Sequence, residues 1–279
     1  MVRLVREVRF LLPPGGDVSP GPDGGYGAHA NGYAGTPATD RPALFFALQI
    51  ALVGRVDRKT GYLCNIKHVD AAVRAQAIPA LAALIREGRF THAAALATLE
   101  AALRPRFAPA ALESLRLHLT PYLAIEWRAP DQPDQPVPDR PMIRLSQRFE
   151  FSAAHRLHAP ALSDADNRAA FGKCNNPHGH GHNYELQVTL AGTPDATGRL
   201  MPLADLERLV GQHVIDRLDH KHLNVEVPEF ADLNPSVENI AAVIFRLLAG
   251  PLRTENARLA SVIVWETPKT WCEVTESDA

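Results

Sequence analysis

Cysteine is scarce in this chain, with only Cys64, Cys174 and Cys272 among 279 residues. Three thiols cannot build the even-numbered disulfide framework of small secreted domains, so each is read as chemistry or packing. Aromatic residues are sparse at 6%, and no apolar run approaches the ~20 residues needed to cross a bilayer as a helix. Neither charge sign dominates: Lys and Arg number 29 against 31 Asp and Glu, a formal net charge of -2. The overall positive field expected of a nucleic-acid or anionic-membrane binder is therefore missing. Met1 to Leu12 alternates charged with apolar residues and lacks a continuous apolar segment, so no signal peptide is expected. The expectation is a soluble, cytoplasmic protein with no nucleic-acid and no membrane partner. Hydrophobic residues at 46% and charged residues at 22% suffice for a buried core. At roughly 150 residues per domain, the length favours two small domains or one large one.

Two stretches carry little core-forming material. Pro13 to Pro42 is dense in Gly and Pro and reads as a long mobile loop. Residues 129–141, APDQPDQPVPDRP, read as a stiff exposed linker. They divide the chain into residues 1–128 and 142–279. The two sides read alike. ALQIALVGRVDRKTGYL from Ala47 matches ELQVTLAGTPDATGRL from Glu185, sharing Leu-Gln, Leu, Gly, Asp, Thr-Gly and Leu with one insertion. SLRLHLTPYLAIEW from Ser114 matches SVIVWETPKTWCEV from Ser261, sharing Ser, Thr-Pro and Glu at equal spacing. Two such matches in the same order argue for an internal duplication.

Each half reads as strand, strand, helix, helix, strand, strand. In the second half the strands are predicted at 143–154, 183–192, 259–266 and 270–275, and the helices at 203–218 and 237–248. The first of these helices has Leu203, Leu206, Leu209, Val210, Val214 and Leu218 on one face. Antiparallel strands with helices between the hairpins predict an α+β layer: a four-stranded antiparallel sheet with two helices on one face.

Eight of the twelve histidines follow the linker. His180 and His182 open a predicted strand, where residues i and i+2 share a face. His155 ends the neighbouring strand, so a hairpin could supply a third ligand. Three imidazoles and an open fourth position are the pattern of a catalytic zinc site. A lone His-x-His pair is as readily a surface feature. Cys174 lies six residues before His180 and has three readings: a fourth, structural zinc ligand; a small buried hydrophobe; or a thiolate near Lys173 and a metal, poised as a base. Spacing does not separate ligand from base. Asp219-His220 follows the first helix, where the helix dipole alone would favour a histidine. Glu266 is a carboxylate on an otherwise apolar strand. It either faces water at the strand end or accepts paired N–H donors from a ligand.

FSAAHRLHAPALSDADNRAAFGKCNNPHGHGHNYELQVTLAGTPDATG resembles the FSA-HRL, FGKCNNP-GHGHNY and D-ATG blocks of the 6-pyruvoyl-tetrahydropterin synthase family, which includes the 6-carboxy-tetrahydropterin synthases of queuosine biosynthesis. RLDHKHLNVEVPEFAD, PSVENIA and VWETP continue the resemblance, which spans about Arg148 to Val274. It implies a tandem T-fold whose subunits close their sheets into a barrel. A homo-oligomer follows, with a trimer carrying six T-fold units as the simplest case. It also implies zinc on His155, His180 and His182, a general-base thiol at Cys174, a proton relay at Asp219 and His220, and a pterin anchor at Glu266. The implied substrate is 7,8-dihydroneopterin triphosphate, with Zn2+ as a Lewis acid at the side-chain hydroxyls and triphosphate leaving by elimination. Ser236 falls in the family's substrate-binding run, and Arg156, Lys173 and Lys221 are phosphate candidates by position. Three residues depart from the family pattern: His178 stands where many members have Asn, Pro202 where Asn or Asp is usual, and Val237 replaces a threonine. The first half departs further. Pro14 falls near the place of His155, no His-x-His or Asp-His pair follows, and Leu119 takes the place of Glu266. It reads as a copy that kept its core and lost its site. The long Cys-Asn-Asn-Pro spacing favours the 6-pyruvoyl product over the alternative 6-carboxy product. A non-catalytic pterin- or purine-binding T-fold is the reading from another class, and retention of Cys174, Asp219, His220 and Glu266 together argues against it.

Overall fold

The computed structural model describes residues 1–15, 42–130 and 142–278. The loop expected at Pro13 to Pro42 and the linker expected at 129–141 lie mostly outside these. The described residues form two compact units, Met1–Leu145 with Thr193–Arg199, and Ser146–Gly192 with Leu200–Ala279.

In the first unit, strands β1 (Val2–Leu12), β2 (Leu44–Gly54), β3 (Ala111–Thr120) and β4 (Leu123–Arg128) form an antiparallel sheet in that order. Val8, Phe10 and Leu12 recur at period two on β1 and are buried, as a half-covered strand requires. Helices α1 (Ile66–Ala72), α2 (Ile78–Arg86) and α3 (His92–Leu103) follow β2. Asn65 caps α1 by accepting from the Lys67 N–H, and Thr91 caps α3 by accepting from the Ala94 N–H. Leu96, Leu99 and Leu103 give α3 a buried stripe at helical spacing. The turn Thr193–Arg199 groups with this unit: the Gly198 carbonyl accepts from the Ala93 N–H at 3.1 Å.

In the second unit, β5 (Ile143–His155), β6 (His180–Gly192), β8 (Ala257–Thr267) and β9 (Thr270–Thr275) form the sheet, and the two-residue β7 (Lys221–His222) pairs parallel with β5. The helix expected at 203–218 begins as α5 (Leu203–Val210), passes through a π turn at Gly211–Ile215, and ends as α6 (Asp216–Leu218). Leu206, Val210, Val214 and Leu218 of its expected apolar face are fully buried. Pro202 precedes α5 and offers no side-chain cap. Three further elements have no counterpart among the expected ones: β7, α4 (Asp164–Phe171) and α7 (Leu223–Glu226). The last helix is α8 (Val237–Ala249), which packs on β8 and β9 and carries a buried Val237. Both units are α+β.

The registers of the two sheets coincide under the offsets of the sequence repeat. Ser114 pairs with Ala51 and Arg128, and Ser261 pairs with Thr189 and Thr275. The bulges coincide too, between Ala51 and Leu52 in one unit and between Thr189 and Leu190 in the other. Asp57 and Asp195 each fold a Thr-Gly turn by accepting N–H bonds, from Lys59 and Thr60 in one copy and from Thr197 and Arg199 in the other. Their glycines, Gly61 and Gly198, hold φ of 73° and 75°, a region that favours glycine. The glycine that ends β6 has another constraint. A Cβ on Gly192 would lie 1.9 Å from the Asn256 carbonyl oxygen. Gly192→Ala is therefore expected to force a backbone shift and lower stability by about 1–3 kcal/mol or more, read as a lower midpoint of denaturant unfolding.

Candidate metal and acid–base site

Three histidines converge at one end of β5 and β6. His155 ends β5, while His180 and His182 begin β6, which starts three residues earlier than expected and so places both on strand geometry. One nitrogen from each lies within 4.8 Å of the others. His155 Nε2 is 3.1 Å from His180 Nε2. Two imidazole nitrogens on a tetrahedral zinc at ~2.05 Å would stand roughly 3.3 Å apart, so the spacing suits a shared ion.

The tautomer of His155 is set by its other nitrogen. Nδ1 donates to the Pro235 carbonyl at 2.7 Å, just before α8, leaving the Nε2 lone pair aimed at the cluster. Full burial pushes the His155 pKa down to about 4, with the neighbouring imidazoles adding to the shift against the opposing Pro235 hydrogen bond. Burial lowers His180 as well, with His182 reinforcing it and Glu266 opposing it. Neutral imidazole is the ligating form. His180 Nδ1 and His182 Nε2 are buried with no hydrogen-bond partner among the described residues. For His182 Nε2 a metal ion would supply the missing interaction. The donor set therefore fits a divalent ion such as zinc.

Glu266 stands at this cluster. Its Oε1 is 3.5 Å from His155 Nε2 and 3.7 Å from His182 Nε2. The residue sits at a bulge in β8, where the register shifts between Trp265 and Thr267. Such an extra residue re-aims its side chain out of the regular alternation. In the first unit the same bulge falls between His118 and Thr120, and the residue there is Leu119.

Asp219 and His220 are latched to β5 at Ser152. Asp219 Oδ1 accepts from the Ser152 N–H at 2.8 Å, and the His220 N–H donates to the Ser152 carbonyl at 2.6 Å. Asp219 Oδ2 is 2.7 Å from His220 Nδ1, an arrangement that orients the imidazole and fixes the proton on Nδ1. The Ser152 hydrogen bond is the leading cause holding Asp219 below the usual carboxylate range, opposed by desolvation and reinforced by His220. His220 has φ of 56°, a left-handed conformation that costs a histidine energy and is found most often where function requires it. Its side chain is 82% exposed.

Cys174 lies in a 3-10 turn (Gly172–Asn175) between α4 and β6, half-buried, with its carbonyl accepting from the Leu157 N–H at 2.9 Å. The three-histidine group does not include it. Amide side chains that sequence reasoning did not single out hold this loop in place. Asn224 brackets the Arg156 backbone through both its N–H and its carbonyl. Asn175 donates to the Leu157 carbonyl, and the buried Asn167 binds four backbone groups between Ala159 and Ser163. Of the remaining candidates, Arg156 and Lys173 line one pocket, whereas Lys221 is drawn 3.7 Å from Glu226. Ser236 caps α8, its hydroxyl accepting from the Asn239 N–H at 3.4 Å. His178 is exposed and outside the cluster.

The comparisons with known proteins agree on the class. The family model for 6-pyruvoyl tetrahydropterin synthase matches residues 144–277. A human 6-pyruvoyl tetrahydrobiopterin synthase is 49% identical over 107 residues, covering 38% of this chain and 74% of the relative. A 6-carboxy-5,6,7,8-tetrahydropterin synthase of Haemophilus influenzae is 29% identical over 156 residues, covering 48% of this chain and all of the relative. The solved 6-pyruvoyl tetrahydropterin synthase of Caenorhabditis elegans aligns over 49% of this chain and 96% of its own at 38% identity, with a TM-score of 0.46. With nearly half of the matched residues shared with the human enzyme over three quarters of its length, the chain belongs to the 6-pyruvoyl tetrahydropterin synthase family.

One metal ion per chain is expected by elemental analysis. His180→Ala should lose it and His178→Ala should retain it, and the reverse pattern would move the ligand assignment.

Proposed function

We propose that the chain is a zinc-dependent lyase that eliminates triphosphate from 7,8-dihydroneopterin triphosphate and releases 6-pyruvoyl-tetrahydropterin. The observation that carries this reading is the meeting of two devices on one strand. β5 ends in His155 of the histidine cluster and, three residues earlier, holds Asp219 and His220 through Ser152. A site for binding alone needs the first device and not the second.

His155, His180 and His182 would hold the zinc, which when bound supplies Lewis acidity at the substrate's side-chain oxygens. Glu266, beside the cluster, would accept the N–H groups of the pterin ring and orient it. Cys174 Sγ would take a proton from a side-chain carbon. The electron pair of that C–H bond forms a carbon–carbon double bond as the C–O bond to phosphate breaks, and the triphosphate oxygen keeps the pair of the broken bond. His220 Nε2, free because Asp219 holds Nδ1, would relay protons as the side chain tautomerises: the carbon next to the ring is oxidised from alcohol to ketone, its C–H electron pair reduces the C6–N5 double bond, and the enol left by elimination becomes the second ketone. The bracketing amides of Asn224 and Asn175 fix the loop that presents Cys174.

The longer Cys174-to-His180 loop supports the 6-pyruvoyl product. Acetaldehyde and a 6-carboxy pterin in the reaction mixture would instead establish the carboxy-type reaction. Cys174→Ala should keep its metal and lose roughly 10²–10⁴-fold in turnover, the span of general-base contributions. Loss of metal in that variant would make the thiol a ligand.

Assembly belongs to the same proposal. Each sheet leaves strand edges unpaired, β1 in one unit and β9 in the other, and barrel closure removes such edges. A homo-oligomer is expected, a trimer of tandem chains in the simplest case. Light scattering that finds an active monomer would contradict it.

A further inference from the structure

A cavity opens in this unit beside the Gly172–Asn175 turn that carries Cys174. It has a volume of 620 Å³ and is lined by Arg156, Asp164, Arg168, Lys173, Asn175 and Asn176, among others. Three cationic side chains face it against a single carboxylate. Arg168 is exposed on α4, one helical turn after Asp164, yet it makes no ion pair with that carboxylate or with any other among the described residues. Lys173 makes none either. Arg156 spends its Nε on the Asn175 carbonyl at 3.1 Å, which leaves its charge unpaired while fixing the guanidinium in the wall. Like charges gathered at one concavity repel and focus a positive potential there, and a multiply charged anion relieves that cost. Guanidinium groups suit phosphate oxygens through paired N–H donors.

The cavity is joined to the site through the chain itself. Arg156 follows His155 and Lys173 precedes Cys174, and adjacent Cα atoms are only ~3.8 Å apart. The Leu157 N–H to Cys174 carbonyl bond, 2.9 Å, ties the two segments together. An anion in this cavity would therefore be held by residues one position along the chain from both the ligating histidine and the proposed base.

We propose that Arg168, with Arg156 and Lys173, forms the pocket for the triphosphate of the substrate, and that Arg168 is the residue whose removal selectively weakens recognition of that tail. This rests on the lyase reading above. Arg168→Ala removes only an exposed side chain. The backbone carbonyl that receives the Gly172 N–H at the end of α4 stays, so folding should persist.

The test is calorimetric titration of the full, metal-containing chain with inorganic tripolyphosphate. The anion is supplied as its magnesium complex, and protein zinc is measured before and after to exclude stripping. Wild type should bind. Arg168→Ala should bind at least about tenfold more weakly, as loss of a charge-assisted contact implies, and Arg253→Ala, a surface charge elsewhere in the unit, should bind as wild type does. Tripolyphosphate should compete with dihydroneopterin triphosphate, while dihydroneopterin without phosphates should bind wild type and Arg168→Ala equally. The proposal is overturned if Arg168→Ala binds tripolyphosphate like wild type, if it loses dihydroneopterin to the same degree, or if tripolyphosphate and substrate bind together. The isotherms need no turnover, so an inactive wild-type protein would sink the lyase reading and leave the pocket to be judged by binding alone.

Discussion

The hydrogen bond from His155 Nδ1 to the Pro235 carbonyl settles more than any other single contact in the second unit. It joins the end of β5 to the start of α8 across 80 residues of sequence. A fully buried imidazole has one proton to place, and this carbonyl claims it. Nε2 is then left as a lone pair, 3.1 Å from His180 Nε2 and 3.5 Å from Glu266. Tyr184 closes the remaining side, its ring against Phe151 and its hydroxyl 3.5 Å from Nδ1. Burial then keeps the ring neutral. Without the carbonyl, either tautomer would serve and the cluster would lose its fixed lone pair.

The strands and the two long helices were legible because their apolar residues repeat at the periods that burial imposes. Leu206, Val210, Val214 and Leu218 make such a stripe, and so does the Val8, Phe10, Leu12 alternation. The histidine triad was legible from two local facts, the i and i+2 spacing and a strand end. α4 was not legible. Asn167 is its only buried residue, so it presents no apolar stripe, and it is held by capping and by amide bonds to neighbouring backbone. The bracket of Asn224 on Arg156 spans 68 residues, a distance at which local pattern carries no signal. The left-handed backbone of His220 is equally silent in sequence, because it is set by the Ser152 carbonyl that captures its N–H.

The two units separate what a sheet needs from what a site needs. They share strand register, bulge positions and the Thr-Gly turns. At the β8 bulge the extra residue is Glu266, and at the matching bulge of β3 it is Leu119. The bulge is a property of the backbone pairing, so it is present with either side chain. The first unit's polar side chains have gone elsewhere. Glu126 is buried at 5% exposure between Arg116 and Arg128, whereas its counterpart Glu273 pairs across the strands with Ile263 and is exposed. A buried carboxylate needs such partners, since an unpaired one would be costly to desolvate.

Geometry at Gly179 leaves no room for a side chain in the loop between Cys174 and His180. Gly179 holds φ of 74°, and a Cβ there would lie 2.7 Å from His222 Nε2 and 3.0 Å from the His155 carbonyl oxygen. The loop therefore passes directly against the strand that carries the first histidine and against β7, which follows Asp219 and His220. Glycine is needed on both counts, conformation and close approach. Cys174, the Asp219–His220 pair and the histidine cluster thus lie around one crossing of backbone segments. A side chain at Gly179 would press on the backbone at His155 and on the imidazole of His222.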